Sequence, residues 1–274
     1  MPELAEAETI RRDLVAIYQG LTISSVEVHR SRSVRRHPDP ADFVRRVRGR
    51  TLLGAGRRGK YLTLDLDNDD VVVAHMGMSG QLLRAEPDEA MVKHTQVRLA
   101  FVGGPDLRFV DPRTFGQMWV SSPVAGRIAE LAHIGVDPLD DPDAERRIGE
   151  LMRRATRLKP LLMDQSRIAG IGNMYADEIL HEAGLRPDRP ATTLSASETG
   201  RLYRAMVSVL EAAVRHRGSS LADEQYRDLF GRIGGYQQYH RVYAREGQPC
   251  ACGGTVTRVR AGGRSWYFCP GCQV

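Results

Sequence analysis

The chain has 274 residues, 42% of them hydrophobic and 27% charged, with a formal net charge of +5 and a pI near 9.2. At roughly 100–200 residues per domain this length suggests two domains, and the composition excludes disordered and fibrous classes. No run of eighteen apolar residues occurs, and the Met1-Pro2-Glu3-Leu4 start is neither basic nor apolar, so neither a membrane span nor a secretion signal is expected. The expected setting is the cytoplasm, and the basic charge favours an anionic partner.

Residues 4–18 read as a helix: Glu3, Glu6 and Glu8 lie near its positive end, and Leu4, Ile10, Leu14 and Ile17 recur at helical spacing. The period then falls to two. Val26 and Val28, then Leu62, Leu64 and Leu66, then Val97, Leu99 and Phe101, then Leu107 and Phe109 alternate with polar neighbours, and 71–74 is a short apolar run. Several short strands separated by turns predict a β-sandwich or barrel to about residue 122. From there the period returns to 3.6, with helices predicted over 125–133, 142–157, 160–168, 173–183 and 195–217. Ser195 and Glu198 supply a capping box for the last, and Gly218 a stop. The segment 218–248 is rich in glycine and tyrosine with weak periodicity, as a loop would be, and a hairpin-sized appendage follows from about 236.

Chemistry-bearing residues recur along this frame. Removal of Met1 would leave Pro2 as a secondary amine of pKa near 8, able to attack a sugar or carbonyl carbon and become an iminium. Proline also suits the first turn of a helix, so Pro2 alone is not diagnostic. Glu3 beside it reads as an acid–base group or a helix-dipole carboxylate. Lys60, Lys93 and Lys159 are the only lysines in a chain that otherwise chooses arginine. Lys60, in Gly59-Lys60-Tyr61 after two arginines, reads as a phosphate-binding or proton-donating group or as part of a solvated basic turn. His75-Met76-Gly77-Met78-Ser79-Gly80 and Asp111-Pro112-Arg113-Thr114-Phe115-Gly116 are tight turns presenting Met78, Arg113 and Phe115, poor surface residues unless they insert into something. Gly170-Ile171-Gly172-Asn173 opens a helix whose free amides suit a phosphate. Cys250-Ala251-Cys252, sixteen residues, then Cys269-x-x-Cys272 signals one zinc ion rather than disulfides.

In register along the whole chain, the MPEL start, RRGKYL, HMGMSG, DPRTFG, KPLLMDQ with GIGNMYADEIL, and the terminal cysteines resemble the bacterial formamidopyrimidine-DNA glycosylase (Fpg/MutM) family of the Fpg/Nei superfamily. The resemblance implies a multidomain α+β fold. Its parts would be an N-terminal catalytic β-sandwich flanked by helices (1–122), a helix–two-turn–helix domain with a lesion-capping loop (123–235) and a zinc-finger β-hairpin (236–274). DNA would lie in the cleft between the halves. Pro2 would be the Schiff-base nucleophile, Glu3 its acid–base partner, Lys60 the proton donor for β-elimination and Arg264 the residue for δ-elimination. Met78, Arg113 and Phe115 would fill the void left by a flipped nucleotide, with His75, His94, Arg154, Asn173 and Arg264 as further DNA contacts. Cys250, Cys252, Cys269 and Cys272 would hold one structural Zn²⁺. The implied protein is a monomeric, bifunctional glycosylase and lyase that excises oxidised purines from double-stranded DNA in base excision repair. It needs no redox cofactor and has no membrane partner.

The chain departs from the family pattern at Ala5 and Ala7, where proline and valine are usual, and at Cys250-Ala251-Cys252, one residue shorter than C-x-x-C. The sulfurs of alternate residues in an extended segment can still face one ion, but the knuckle that orients them is lost. Rival readings are an endonuclease VIII-like enzyme for oxidised pyrimidines, disfavoured by the MPEL start, a catalytically silent binder of damaged DNA, and a zinc-ribbon RNA binder.

Overall fold

The period-two segments form two antiparallel sheets. Strands β1 (Ile23–Val28), β2 (Leu52–Arg58), β3 (Tyr61–Leu66), β4 (Val71–His75), β5 (Gln81–Ala85), β6 (Thr95–Phe101), β7 (Asp106–Val110) and β8 (Gln117–Ser121) assemble in the orders β1-β6-β7-β5 and β2-β3-β4-β8. Register follows the apolar pattern: Leu62 pairs Ala74 and Leu64 pairs Val72, so each apolar set faces one side. The result is the expected β-sandwich. Helix α1 (Leu4–Tyr18) buries Ala7, Ile10, Leu14 and Tyr18 in the same core as Leu62, Leu64, Val97 and Leu99. The Tyr18 hydroxyl donates to the Asp106 carbonyl at 2.8 Å, so the aromatic end is satisfied.

This computed structural model describes residues 2–221 and 225–274. Met1, whose removal the sequence reading requires, and residues 222–224 of the expected loop lie outside them.

Packing divides the chain into two units, Met1–Ala132 with His216–Gly235, and His133–Arg215 with Tyr236–Val274. The loop segment thus packs with the sandwich and the cysteine hairpin with the helices. The second unit holds α3 (Ala144–Leu151), α4 (Leu158–Met163), α5 (Asn173–Glu182), α6 (Ala196–Arg215) and a hairpin of β9 (Thr257–Ala261) and β10 (Arg264–Phe268). Ser195 and Glu198 cap α6 reciprocally: Ser195 N–H donates to Glu198 at 2.8 Å and Glu198 N–H to Ser195 Oγ at 3.2 Å.

Three helical expectations need correction. No α-helix covers 125–133: Val124 and Arg127 exchange both backbone hydrogen bonds at 3.0 Å around Ala125 and Gly126, which have φ of +50° and +72°, and only the 3₁₀ turn Ala129–Leu131 follows. The 142–157 helix ends at Leu151 because residues 156–159 pair instead with 187–191. The 160–168 helix starts earlier and stops at Met163, where Asp164 Oδ1 accepts the Ser166 amide at 3.0 Å. An eight-residue helix, α2 (Pro40–Val47), was not anticipated; Asp39 accepts from the Ala41 amide at 2.8 Å, Pro40 opens it, and Phe43 and Val47 are buried.

Candidate functional site

In the first unit, the start of α1 is built from carboxylates. Pro2 and Glu3 are buried. Glu3 is the N-cap, and its amide donates to Glu6 Oε2 at 2.9 Å in a capping box. The other oxygen of Glu6 accepts the Ser219 amide at 2.8 Å, so one buried side chain joins the Pro2 segment to the loop after α6. That approach requires Gly218: at φ +78°, a Cβ there would stand 2.8 Å from Glu6 Oε1. Arg217 just before it is also left-handed (φ +61°) and is held by Asp13 and Asp228. Thus the positive-φ residues after α6 begin one position before the expected glycine.

Lys60 is buried in the two-residue turn joining β2 to β3. Gly59 has φ +59° at the first central position, as a type II′ hairpin turn demands. Arg57, one of the arginines preceding it, donates to Glu8 at 3.2 Å and to the Gly59 carbonyl at 3.4 Å, which ties the turn to the first turns of α1. Burial would push the Glu8 carboxyl up, but hydrogen bonds from Arg11 and Arg12 and the Arg57 charge bring it down to about 2. His75, at the end of β4 with its ring 4.6 Å from Tyr61, is depressed to about 4 by burial and by the Lys60 charge, and is therefore neutral at pH 7.

The two turns carrying Met78, Arg113 and Phe115 are fastened to each other. A Cβ on Gly77 would lie 2.7 Å from Gly116 N, so only glycine permits this approach. Buried Asp111 receives the Ser79 hydroxyl (2.6 Å) and the amides of Arg113 (3.1 Å) and Gly116 (2.7 Å). From outside, Arg35 donates to the carbonyls of Phe115 (3.3 Å) and Gly116 (3.0 Å), and Arg32 to that of Thr114 (3.2 Å), which has φ +55°. Met78 and Phe115 remain 41% and 46% exposed, with the Arg113 guanidinium 5.0 Å from the Phe115 ring centre. His94 is exposed at φ +68°, and its carbonyl accepts the Asp111 amide at 3.0 Å.

In the second unit, Asn173 begins α5 after Gly172, and its Oδ1 is buried without a hydrogen-bond partner among the described residues. Gln165 shapes the loop before it, donating to the carbonyls of Met163 and Ile171 (2.9 and 2.7 Å) and accepting from Gly170 N–H (2.9 Å). Arg264 opens β10 after Gly262 and Gly263 (φ +56° and +73°), the two left-handed residues of a type I′ turn, and is exposed. Arg154 is exposed in the turn after α3 and lines a pocket of about 470 Å³ with Thr156, Asp164 and Arg167.

Neighbouring acids on α5 carry the hairpin. Asp177 accepts Lys159 Nζ at 2.7 Å, both side chains fully buried, and the Tyr267 amide at 3.2 Å; Lys159 also donates to the Ser265 carbonyl at 3.3 Å. Glu178 accepts three successive amides, of Arg241, Val242 and Tyr243, at 2.7–3.0 Å. The four cysteine sulfurs lie within 4.8 Å of one another, Cys250–Cys272 at 3.8 Å and Cys252–Cys269 at 3.5 Å. Tetrahedral sulfur at about 2.3 Å from one ion implies edges near this value. Gly254 and Gly271 leave the room: a Cβ on Gly254 would be 2.9 Å from Cys269 Sγ. The residues fit a four-thiolate metal site. The Gly254 amide, 3.4 Å from Cys252 Sγ, helps lower that thiol to about 7.

The structure thus ties the Pro2-Glu3 segment to Ser219 through Glu6 and the Lys60 turn to α1 through Arg57 and Glu8, and gathers Met78, Arg113 and Phe115 around Asp111. The cysteines gather together, and α5 links the Asn173 loop to the hairpin bearing Arg264. The sequence marks Glu6 only as a carboxylate at the positive end of α1 and gives no individual role to Arg35, Gln165, Asp177, Glu178 or His181, whose Nε2 is 3.3 Å from Cys250 Sγ. The signal for Asp177 and Glu178 is two adjacent acids set between the apolar residues Ala176 and Ile179-Leu180 of the helix.

The family model for the formamidopyrimidine-DNA glycosylase N-terminal domain matches residues 1–118, and that for the family's H2TH domain residues 134–225. Formamidopyrimidine-DNA glycosylases of Pelotomaculum thermopropionicum and Salinispora arenicola are 40% and 44% identical, covering all of this chain and 99% and 96% of their own lengths. The MutM (Fpg) structure from Thermus thermophilus superposes with TM-score 0.86 at 40% identity over 99% of this chain and 98% of its own. Lactococcus lactis Fpg in complex with abasic-site DNA does so with TM-score 0.90 at 30% identity, over 99% of each. The chain therefore belongs to the formamidopyrimidine-DNA glycosylase family.

Proposed function

We propose that this protein excises oxidised purines, 8-oxoguanine and formamidopyrimidines, from double-stranded DNA and then cleaves the strand by β,δ-elimination. The observation that carries this reading is the buried Pro2-Glu3 start on the positive end of α1, in a chain that matches the family along its whole length. Lactococcus lactis Fpg has been solved with abasic-site DNA and, as a variant, with Fapy-dG DNA.

A base inside the stack shields its sugar, so the nucleotide is extruded at a cost of a few kcal/mol. Met78, Arg113 and Phe115, exposed on stiffened turns, enter the vacated space and offset part of that cost. The Pro2 nitrogen then attacks C1′, the C1′–base bond breaks, and the base leaves with a proton. Glu3 protonates the sugar ring oxygen as the ring opens to an iminium. That cation acidifies the C2′ proton; its loss expels the 3′ phosphate, with Lys60 delivering the proton that the leaving group takes. Arg264 serves the second elimination, which expels the 5′ phosphate. His75, His94, Arg154, Asn173 and Arg264 contact the DNA. The three modules expected from the sequence, 1–122, 123–235 and 236–274, then divide the work into chemistry, duplex binding with lesion capping, and phosphate grip. Cys250, Cys252, Cys269 and Cys272 hold one Zn²⁺, whose contribution is structural. The enzyme acts as a cytoplasmic monomer.

Excision from duplexes carrying 8-oxoguanine opposite cytosine or thymine glycol opposite adenine tests the reading. Faster release of the purine is expected. Preference for thymine glycol would move the protein to the endonuclease VIII-like chemistry, and tight binding with no release would make it a silent damage binder.

A further inference from the structure

The first cysteine pair lacks one residue of the family's C-x-x-C, and the backbone shows where the shortening is felt. In the turn Cys250-Ala251-Cys252-Gly253-Gly254, the Gly253 amide donates to the Cys250 carbonyl at 3.0 Å and the Gly254 amide reaches Cys252 Sγ at 3.4 Å. Both glycine amides are thereby directed away from the Cys250 sulfur. A nitrogen from outside the turn meets that sulfur instead. His181, next to last in α5, places Nε2 3.3 Å from Cys250 Sγ and 3.7 Å from Cys272 Sγ, on the 3.8 Å edge between them.

The rest of the imidazole indicates which role that nitrogen plays. Nδ1 is buried and has no hydrogen-bond partner among the described residues. Of the two neutral tautomers, the one protonated on Nε2 aims its N–H at the sulfurs and leaves only an acceptor unmade at Nδ1. The other would bury an unsatisfied donor and point a lone pair at sulfur. Four thiolates around one divalent ion carry a net charge of −2, and an N–H donor at partly buried sulfur offsets it.

We propose that His181 is a working part of the cysteine centre: its Nε2–H donates to the Cys250 thiolate, beside Cys272, and supplies the support removed with the missing knuckle residue. This rests on the reading that the four cysteines hold zinc. It gives α5 a third anchor on the hairpin, after Asp177 and Glu178, and makes zinc retention depend on a residue outside the cysteine motif.

The test uses the full-length protein and its His181→Phe and His181→Gln variants. Zinc content is measured by atomic emission, zinc affinity by chelator competition, and the donor set by the spectrum of the cobalt(II)-substituted protein. All three proteins are expected to carry one zinc and a four-sulfur cobalt spectrum. His181→Phe should bind zinc about 10–100-fold more weakly, the usual cost of losing a hydrogen-bond partner of a ligand. His181→Gln, which keeps an N–H donor, should recover most of that affinity. Inserting a glycine between Ala251 and Cys252 should reduce the effect of His181→Phe to a few-fold. Unchanged zinc affinity in a folded His181→Phe protein would overturn the proposal. So would a native cobalt spectrum with a nitrogen donor that the Phe variant loses, since His181 would then be a ligand. Should His181→Phe fail to fold, a His181→Gln protein that folds but loses zinc as readily as a cysteine variant overturns it, and one that retains native affinity upholds it. A native protein free of zinc after expression with zinc, and unable to take up cobalt, would overturn the zinc reading itself.

Discussion

The two units stiffen their exposed residues by different electrostatics. In the sandwich unit, Asp111 is met by a hydroxyl and two amides, so the acid between the two turns has neutral donors, while Arg32 and Arg35 hold only backbone carbonyls of the second turn. In the helical unit, Asp177 is met by an ammonium at zero exposure, and Lys159 and Asp177 together fasten α4, α5 and β10. The first arrangement fixes the shape of a surface loop and loses a few hydrogen bonds when cut. The second places opposite charges where either alone is strongly disfavoured, so halving it is costly. Each suits its load: the sandwich displays side chains on turn tips, whereas the helical unit must hold a small hairpin with little core of its own, built around Val242, Val256 and the cysteines.

Variants sharpen this contrast, beginning with the largest effect. Pro2→Gly removes the nucleophile's ring while leaving the network of Glu6 and Ser219; base excision should fall by on the order of 10³-fold or more with duplex affinity nearly unchanged. Lys159→Met leaves Asp177 buried without its cation, and chemical denaturation should show a loss of about 3–5 kcal/mol, partly regained in Lys159→Met/Asp177→Leu. A loss below about 1 kcal/mol would mean the pair does not carry the hairpin. Asp111→Ala should cost less, about 2–3 kcal/mol for its unmet donors, and should slow excision by loosening the turns of Met78 and Phe115.

A smaller effect should depend on pH. Glu8 has a folded pKa of about 2 against an ordinary 4.5. Its stabilisation is therefore complete above 4.5 and is lost as pH falls from 4.5 through about 2. Glu8→Gln should destabilise the protein by roughly 2 kcal/mol at pH 7 and by progressively less below pH 4.5; a pH-independent difference would contradict the Arg11, Arg12 and Arg57 pairing. Finally, Arg264→Ala should reduce the slope of log affinity against log salt by about 0.9, as for one lost cationic phosphate contact. Asn173→Ala should weaken binding at unchanged slope, because the amide carries no charge.

Where one residue decided a local structure, the sequence was readable. Alternation placed β3, β6 and β7, spacing placed α1, and the Ser195–Glu198 pair marked the start of α6. What escaped depended on partners far along the chain. The helix expected over 142–157 yields at its end to pairing with 187–191, and no periodicity within the segment announces that competition. The candidate site behaved likewise. The motifs displayed Pro2, Lys60, Met78 and the cysteines, but the residues that hold them, Glu6 to Ser219 and Arg35 to Phe115, act across 213 and 80 positions. His181 was invisible for the same reason, 69 residues from the cysteine it meets.

On the proposed mechanism, the amine of Pro2 forms the bond to DNA. Borohydride trapping on an 8-oxoguanine:cytosine duplex, with the adduct located by peptide mass spectrometry, tests it most directly. A stable crosslink on Pro2 of a chain that has lost Met1 is the expected result. A crosslink on Lys60 or another lysine, or base release with no trappable intermediate, would contradict it.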